Sequence, residues 1–488
     1  MYYGPNGTSV RVDALAFRPM RRRLSTRLGF VTHVPGRTGA LRTQHRRVIA
    51  IALGLLGLGW SSAARPDDGT VAELSAAQYN DERTLAELLW AQSPEVLDAR
   101  TAAGVAASEV TRARTLPNPA LDFTWGTIPI GQTNPPHLHD PFGNVPNYNT
   151  GISQLVELWK RGPRQAATVA EYEHARAQAL ATFADRFFEL LGTVGRIAKS
   201  QLRAGVAGEL VDASAQLLEL DRARAGKGDM ALLDLDRAEV EHLHLVASRD
   251  AAATDLEDAR AACAAMVARP CAPFESTKAT RNFIEPAIGA PLSNTWSTET
   301  EQRRPDIAAL DAALQAAHAR ETLAKRRIIP DVTVRVGYTY DTFLASGNQE
   351  QSLALGLQMP LPTFDRGQAD LQAAMVTLTR AAETRQAIVA AARLSLEAAS
   401  HRRDLLNARL TALEVALKKA RGVRDALQAA QHRGGASMID VLLARRAYQE
   451  LLLDRIDLLA DAFDATLKIR QVAALFPRPD QSPEVPTP

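Results

Sequence analysis

Cysteine, histidine and aromatic residues are scarce in this chain of 488 residues: two Cys, ten His and 5% aromatics. Two cysteines exclude a disulfide-dense scaffold and a thiolate-rich metal centre. Cys263 and Cys271 flank Pro270, a spacing open either to one disulfide in an exported chain or to two unlinked thiols near a helix end. Ten histidines do not suggest a metal store. The apolar run Val48–Trp60 stops at 13 residues, well short of the ~20 that a membrane-spanning helix needs. Nothing has the pattern of a nucleophile elbow, a phosphate loop or a zinc-ligand cluster. No pair of acids has a setting that would tune it for catalysis, so neither an enzyme nor a cofactor is expected.

Excess basic charge is also missing once the N-terminus is set aside. Residues 1–64 hold ten Arg and one acid, Asp13, which leaves 47 basic and 54 acidic residues over 65–488, a formal charge of −7. That balance argues against nucleic acid as a partner. Arg46-Arg47, the apolar run and Ser61-Ser62-Ala63-Ala64 together read as a secretory signal with its small-residue exit. The long stretch ahead of it fits a start codon placed too far upstream, with Met20 as a later candidate. No Cys follows the exit, so no lipid anchor is expected there.

What the chain does have is a duplication with an offset of about 206 residues. Leu116-Pro117, an alternating strand, a Pro/Gly-rich loop, a second strand and Lys160-Arg161-Gly162 lead into a very long helix. Ile329-Pro330, a strand, a polar loop, a strand and Asp365-Arg366-Gly367 lead into another. Each long helix breaks at a matching signature, Gly228-Asp229-Met230-Ala231-Leu232-Leu233-Asp234-Leu235 and Gly434-Gly435-Ala436-Ser437-Met438-Ile439-Asp440-Val441. The expected layout is a leader over 1–64 and a first repeat over 65–268, with strands near 121–128 and 148–158 and helices near 163–224 and 229–268. A Pro/Ser/Thr-rich linker over 269–299 follows. The second repeat covers 300–476, with strands near 332–340 and 353–361 and helices near 367–431 and 438–473, and 477–488 is a Pro-rich tail without fixed structure.

The strands alternate apolar and polar residues: Leu121, Phe123 and Trp125 against Asp122 and Thr124, and Val332, Val334, Val336, Tyr338 and Tyr340 against Thr333, Arg335, Gly337 and Thr339. Phe183, Phe187, Leu190, Val194 and Ile197 step by 4, 3, 4 and 3 in the first long helix, the spacing of a coiled-coil seam. Leu406, Leu410, Leu413 and Leu417 do the same in the second. Helices of about 60 residues, roughly 90 Å long, cannot pack along strands of about 30 Å and must project beyond them. Such strands suit a soluble sheet or a membrane barrel equally. In lipid, however, four cannot close a barrel, and open edges are costly there. Three chains would supply twelve strands and twelve long helical segments. The fold class is therefore mainly α with a small β part. If the strands lie in a membrane, each protomer would contribute four antiparallel strands to a shared trimeric 12-stranded barrel above a helical barrel.

With Leu116-Pro117-Asn118-Pro119, Ile329-Pro330-Asp331, Arg304-Pro305-Asp306-Ile307, the strand exit Met359-Pro360-Leu361-Pro362-Thr363-Phe364-Asp365-Arg366-Gly367-Gln368 and the two reversals in this order, the chain resembles the outer membrane efflux (TolC-like) family from about Glu82 to Phe476. The exits Glu157-Leu158-Trp159-Lys160-Arg161-Gly162-Pro163-Arg164 and Phe364–Gln368 look most like the branch serving heavy-metal pumps. The resemblance implies a homotrimeric exit duct in outer-membrane lipid with its helices in the periplasm. The implied partners are a periplasmic adaptor and an inner-membrane transporter of the resistance-nodulation-division type.

By motif position, the resemblance also implies a periplasmic tip where the adaptor docks, at Gly228, Asp229, Ala231, Gly434 and Ser437. Asp234 and Asp440 would form an acidic aperture there. Either Asp could instead be a simple helix-start carboxylate. Leu443 stands where the family often has a further Asp, so a full two-ring acidic gate is not expected. His137-Leu138-His139-Asp140 reads as a polar loop, and in Glu241-His242-Leu243-His244 residues two apart on a helix point in different directions, so neither is expected to be a metal site. Two other readings remain: the outer component of a one-step (type I) protein secretion system, and a soluble periplasmic coiled-coil scaffold or adaptor. The scaffold would bury its strand faces inside its own β-domain.

Overall fold

The structure, a computed structural model, describes residues 72–126, 147–292, 295–342, 349–433 and 435–479. The leader, the tail beyond residue 479, Gly434 and the His137-Leu138-His139-Asp140 loop lie outside the described residues.

Helix α1 (Glu82–Gln92) starts at Asp81, whose carboxylate accepts from the backbone N–H of Arg83 and Thr84. Helix α2 (Pro94–Arg114) has Pro at its first position, where the missing N–H costs nothing. Leu116-Pro117-Asn118-Pro119 then prevents its continuation. Strands β1 (Ala120–Trp125) and β2 (Asn147–Val156) follow, and α3 (Arg161–Gly226) runs for 66 residues, about 100 Å. Helix α4 (Leu232–Val267) returns beside it.

The second half repeats this order. Helices α5 (Thr277–Gly289), α6 (Thr298–Arg303) and α7 (Pro305–Arg326) precede strands β3 (Val332–Asp341) and β4 (Gln351–Gln358). Helices α8 (Gln368–His432) and α9 (Met438–Val472) complete it. The shorter α2 and α7 pack on α3, with α7 also on α8, while α4 and α9 cover the other stretches of the two long helices.

Residues 269–299, read above as a linker, are not all extended chain. Ser276 Oγ accepts from the Ala279 N–H at 3.2 Å and starts α5. That helix drives Phe283 and Ile284 into the core, and the Phe283 ring packs tilted against that of Phe463 with centroids 5.3 Å apart. Composition pointed to a linker, but two adjacent large apolar side chains with a partner to pack on outweigh the surrounding Pro, Ser and Thr. The same core takes Tyr79, whose hydroxyl donates to Ala272 O at 2.7 Å, and the Cys263–Cys271 disulfide.

All five seam residues of α3, from Phe183 to Ile197, are fully buried in this core. It lies part-way along α3, where that helix meets α9, α5 and the 72–92 segment. Gly195 makes room for the Phe463 ring between α3 and α9, since a Cβ there would fall 2.7 Å from Phe463 Cε1.

The sheet is antiparallel in the order β1-β2-β3-β4. At its junction with the helices, Lys160 Nζ lies 2.9 Å from Asp331 Oδ1, tying the β2–α3 exit to the approach to β3.

Candidate functional site

The pairing register places every strand's apolar set on one face. Phe123 opposes Thr150, which opposes Tyr338 and then Leu353; Leu121, Ile152, Val336 and Leu355 form the next row. The other face carries Asp122, Gly151, Gly337 and Ala354, with Ser153, Arg335 and Gly356 in the adjoining row. No part of the described chain covers the apolar face. Leu353, Leu355 and Leu357 are 72% to 79% exposed, and Leu121 and Ile152 are also exposed. Among the described residues β1 and β4 each have a neighbour on one side only.

Aromatic rings cluster toward one end of this face. Phe123, Tyr148 and Tyr340 stack in a row at 6.5 and 5.2 Å, next to Trp125. At the opposite, helix-side end stand exposed Trp159 and Phe364, and aliphatic side chains fill the interval. This order matches the aromatic girdles that flank the apolar band of a membrane barrel. A soluble scaffold would bury these strand faces within the chain, and among the described residues they are not buried.

Arg335 rises from β3 on the polar face and reaches diagonally across β2 to Asp122 of β1, with Nε donating to Oδ1 at 3.2 Å and Nη2 donating to Oδ2. Asn149 Oδ1 accepts from the same guanidinium, and its Nδ2 donates to Thr339 Oγ1 at 2.6 Å. A glycine beneath it leaves room for the crossing: a Cβ on Gly151 would lie 3.0 Å from Arg335 Nε and 3.1 Å from Val336 O, tight enough that a neighbour would have to shift. Sequence patterning put Asp122 and Arg335 on polar strand faces but could not join them, because their pairing depends on a register across three strands.

At the other extremity the two helix reversals share their hydrogen bonding. Gly228 N–H donates to Ala225 O and Asp229 N–H to Arg224 O, with Gly228 at φ +79°. This is the left-handed helix stop that glycine accommodates. In the second reversal Gly435 N–H donates to Ala430 O at 2.9 Å, the bond equivalent to that of Asp229. The helix starts then differ. Ser437 Oγ accepts from the Asp440 N–H at 3.2 Å and donates to Asp440 Oδ2 at 2.7 Å, whereas Ala231 has no side chain with which to cap α4.

Asp234 accepts from Arg237 Nη1 at 3.0 Å, so its charge is largely balanced. Asp440 pairs with no cation among the described residues. The two hairpins are tied side by side just behind the reversals, where Arg446 of α9 donates through Nε to Glu241 Oε2 of α4 at 2.9 Å. That bond holds the Arg446 guanidinium above its ordinary pKa, while burial pulls that of Arg445 below, opposed by Asp221. Glu241 is thus committed to Arg446, and His242 Nδ1 lies 2.7 Å from Ser214 Oγ. Sequence reading missed the Arg446–Glu241 tie, for which a lone Glu on a helix face gives no signal.

Residues 296–474 match the family described as "Outer membrane efflux protein". The chain is 23% identical over 336 residues to the cobalt-zinc-cadmium resistance protein CzcC of Cupriavidus metallidurans, covering 66% of this chain and 77% of that one. Its fold is similar to crystal structures of CusC (TM-score 0.66, 16% identity, 82% of this chain and 94% of that one). It is likewise similar to the outer membrane protein VceC of Vibrio cholerae (TM-score 0.63, 18% identity, 82% and 96%). The matched family and these relatives are efflux, resistance and channel proteins, not enzymes.

Proposed function

We propose, from the match of residues 296–474 to the family described as "Outer membrane efflux protein", that three copies of the chain assemble into the outer-membrane exit duct of a tripartite efflux pump. The observation that carries this reading is the apolar face of a four-stranded sheet that, among the described residues, is uncovered and has two open edges. Four strands are half of the smallest membrane barrel, and unpaired edge groups in lipid cost several kcal/mol each. Two further copies joined edge to edge remove both problems at twelve strands. The apolar face then meets lipid and the polar face lines the lumen. Helix α8 adds support. Leu394, Leu405, Val415 and Val423 are exposed along it, as expected where another copy packs.

The partners in this reading are a periplasmic adaptor and an inner-membrane transporter of the resistance-nodulation-division type. The cargo is heavy-metal cations, as the name of the CzcC relative suggests. The reversals at Gly228, Asp229, Ala231, Gly434 and Ser437 form the tip on which the adaptor docks. Nothing lies within 4 Å of a Cβ placed on Gly228, so a side chain there acts through the backbone alone, by about 1–2 kcal/mol of left-handed strain. Gly228→Val is therefore expected to lower co-purification of the adaptor several-fold while trimer yield stays normal. Undiminished adaptor recovery would count against docking at this turn.

Asp440, which pairs with no cation among the described residues, is the acid that favours cations at the aperture, and Asp234, paired with Arg237, contributes less. Asp440→Asn keeps an acceptor for Ser437 and removes three charges from the ring. The expected result in planar bilayers is a cation-over-anion permeability ratio reduced about threefold or more. Asp234→Asn should change it less. A ratio unmoved by Asp440→Asn would leave that residue as a helix starter only.

A further inference from the structure

On the reading that the polar face lines a channel, we propose that Asp122 masks a ring of permanent positive charge contributed by Arg335, so that this pair sets the charge selectivity of the barrel lumen independently of the acids at the tip. An arginine guanidinium is a permanent cation in proteins. The geometry shows how that charge is handled. Arg335 lies flat across β2 over Gly151, gives two hydrogen bonds to Asp122, and gives a third to Asn149. Both side chains keep more than a third of their surface exposed, at 38% and 37%, so permeating ions reach them.

A register staple alone would not need ions of both signs. Position 151 faces the polar side, and a larger polar residue there would pair strands as well. Here the sheet gives up that side chain at Gly151, and at its direct partner Gly337, leaving a flat lane over which the guanidinium reaches its counter-ion. With the pair intact, the charges of Arg335 and Asp122 cancel at that level of the lumen. With Asp122 neutralised, threefold symmetry produces three fixed cations at one level, which draw small inorganic anions and repel the cations that Asp440 admits.

The test is the reversal potential of the purified full-length protein in planar bilayers under a potassium chloride gradient. Asp122→Asn is expected to lower the cation-over-anion permeability ratio by about threefold or more and Arg335→Gln to raise it by a similar factor, with the double variant near wild type. Asp122→Cys extends the test to channels already assembled, because the only two native cysteines are joined as a disulfide. A negatively charged methanethiosulfonate reagent should return the ratio toward wild type, and a positively charged one should lower it further.

Conducting channels in which the two single variants shift the same way, or not at all, overturn the proposal and leave the duct reading intact. Failure of both Asp122 variants to assemble overturns it as well, making the pair a structural staple. A wild-type protein that forms no channel removes the duct reading and this inference together.

Discussion

Leu355→Lys is expected to abolish recovery of the assembled trimer from membranes, while Ala354→Lys, one position away, leaves it near the wild-type level. The two residues point to opposite faces of β4: Leu355 stands in the apolar row with Val336, Ile152 and Leu121, and Ala354 opposes Gly337 on the polar face. A lysine facing lipid near mid-height of a membrane barrel costs about 2–4 kcal/mol, and a trimer would carry three. A lysine at position 354 meets water, with Arg335 already paired to Asp122. Heat-modifiable migration on a denaturing gel reads out assembly. Equal losses from both substitutions would mean that the two faces do not see different solvents.

The second large effect lies in the core. Phe463→Ala should destabilise the protein by about 3–5 kcal/mol, in keeping with deletion of a buried aromatic ring. Gly195→Ala should cost about 1–3 kcal/mol by overpacking, although it adds only a methyl group. The Phe463 ring is buried against Phe283 and cannot swing clear of a Cβ that would arrive 2.7 Å away. Combining Gly195→Ala with Phe463→Leu should therefore cost less than the sum of the separate changes. Denaturation of the purified trimer measures each change, and strict additivity would show that Gly195 and Phe463 do not share one space. The contact joins α3 of the first half to α9 of the second, so its failure should also loosen the relation between the two hairpins.

The residues of these sites differ in how far sequence revealed them. The alternation of Val332 to Tyr340 gave the two faces of β3 directly, because strand periodicity is a local property. The 4, 3, 4, 3 spacing from Phe183 to Ile197 likewise marked side chains that are fully buried. The matching spacing in α8 led to less burial: Leu406 is buried, whereas Leu410, Leu413 and Leu417 are only half-buried. A seam predicts that a helix has partners, not that one chain supplies them all. Helix α5 escaped notice because local composition there speaks for extended chain, and only the distant Phe463 gives Phe283 a reason to fold inward.

At the tip, the glycine at position 228 and the carboxylate at 440 were legible as turn and helix-start residues. The contrast between them was only partly so. Ser437 as a cap is a sequence signal, but the balancing of Asp234 by Arg237 required the side-chain geometry. Asp122 and Arg335 are 213 residues apart and come together only through the β1-β2-β3 register. Gly434 and the first inter-strand loop lie outside the described residues, and the reading of Gly434 as part of the docking tip remains a proposal.

The most direct test of a barrel completed by sister subunits is the mass of the detergent-purified particle from light scattering coupled to size exclusion. Three chains per particle, lost from solution when detergent is withdrawn, is the predicted result. A particle of one chain that stays dispersed without detergent would contradict it, since the leucines of β4 would then have to find their cover within a single protomer.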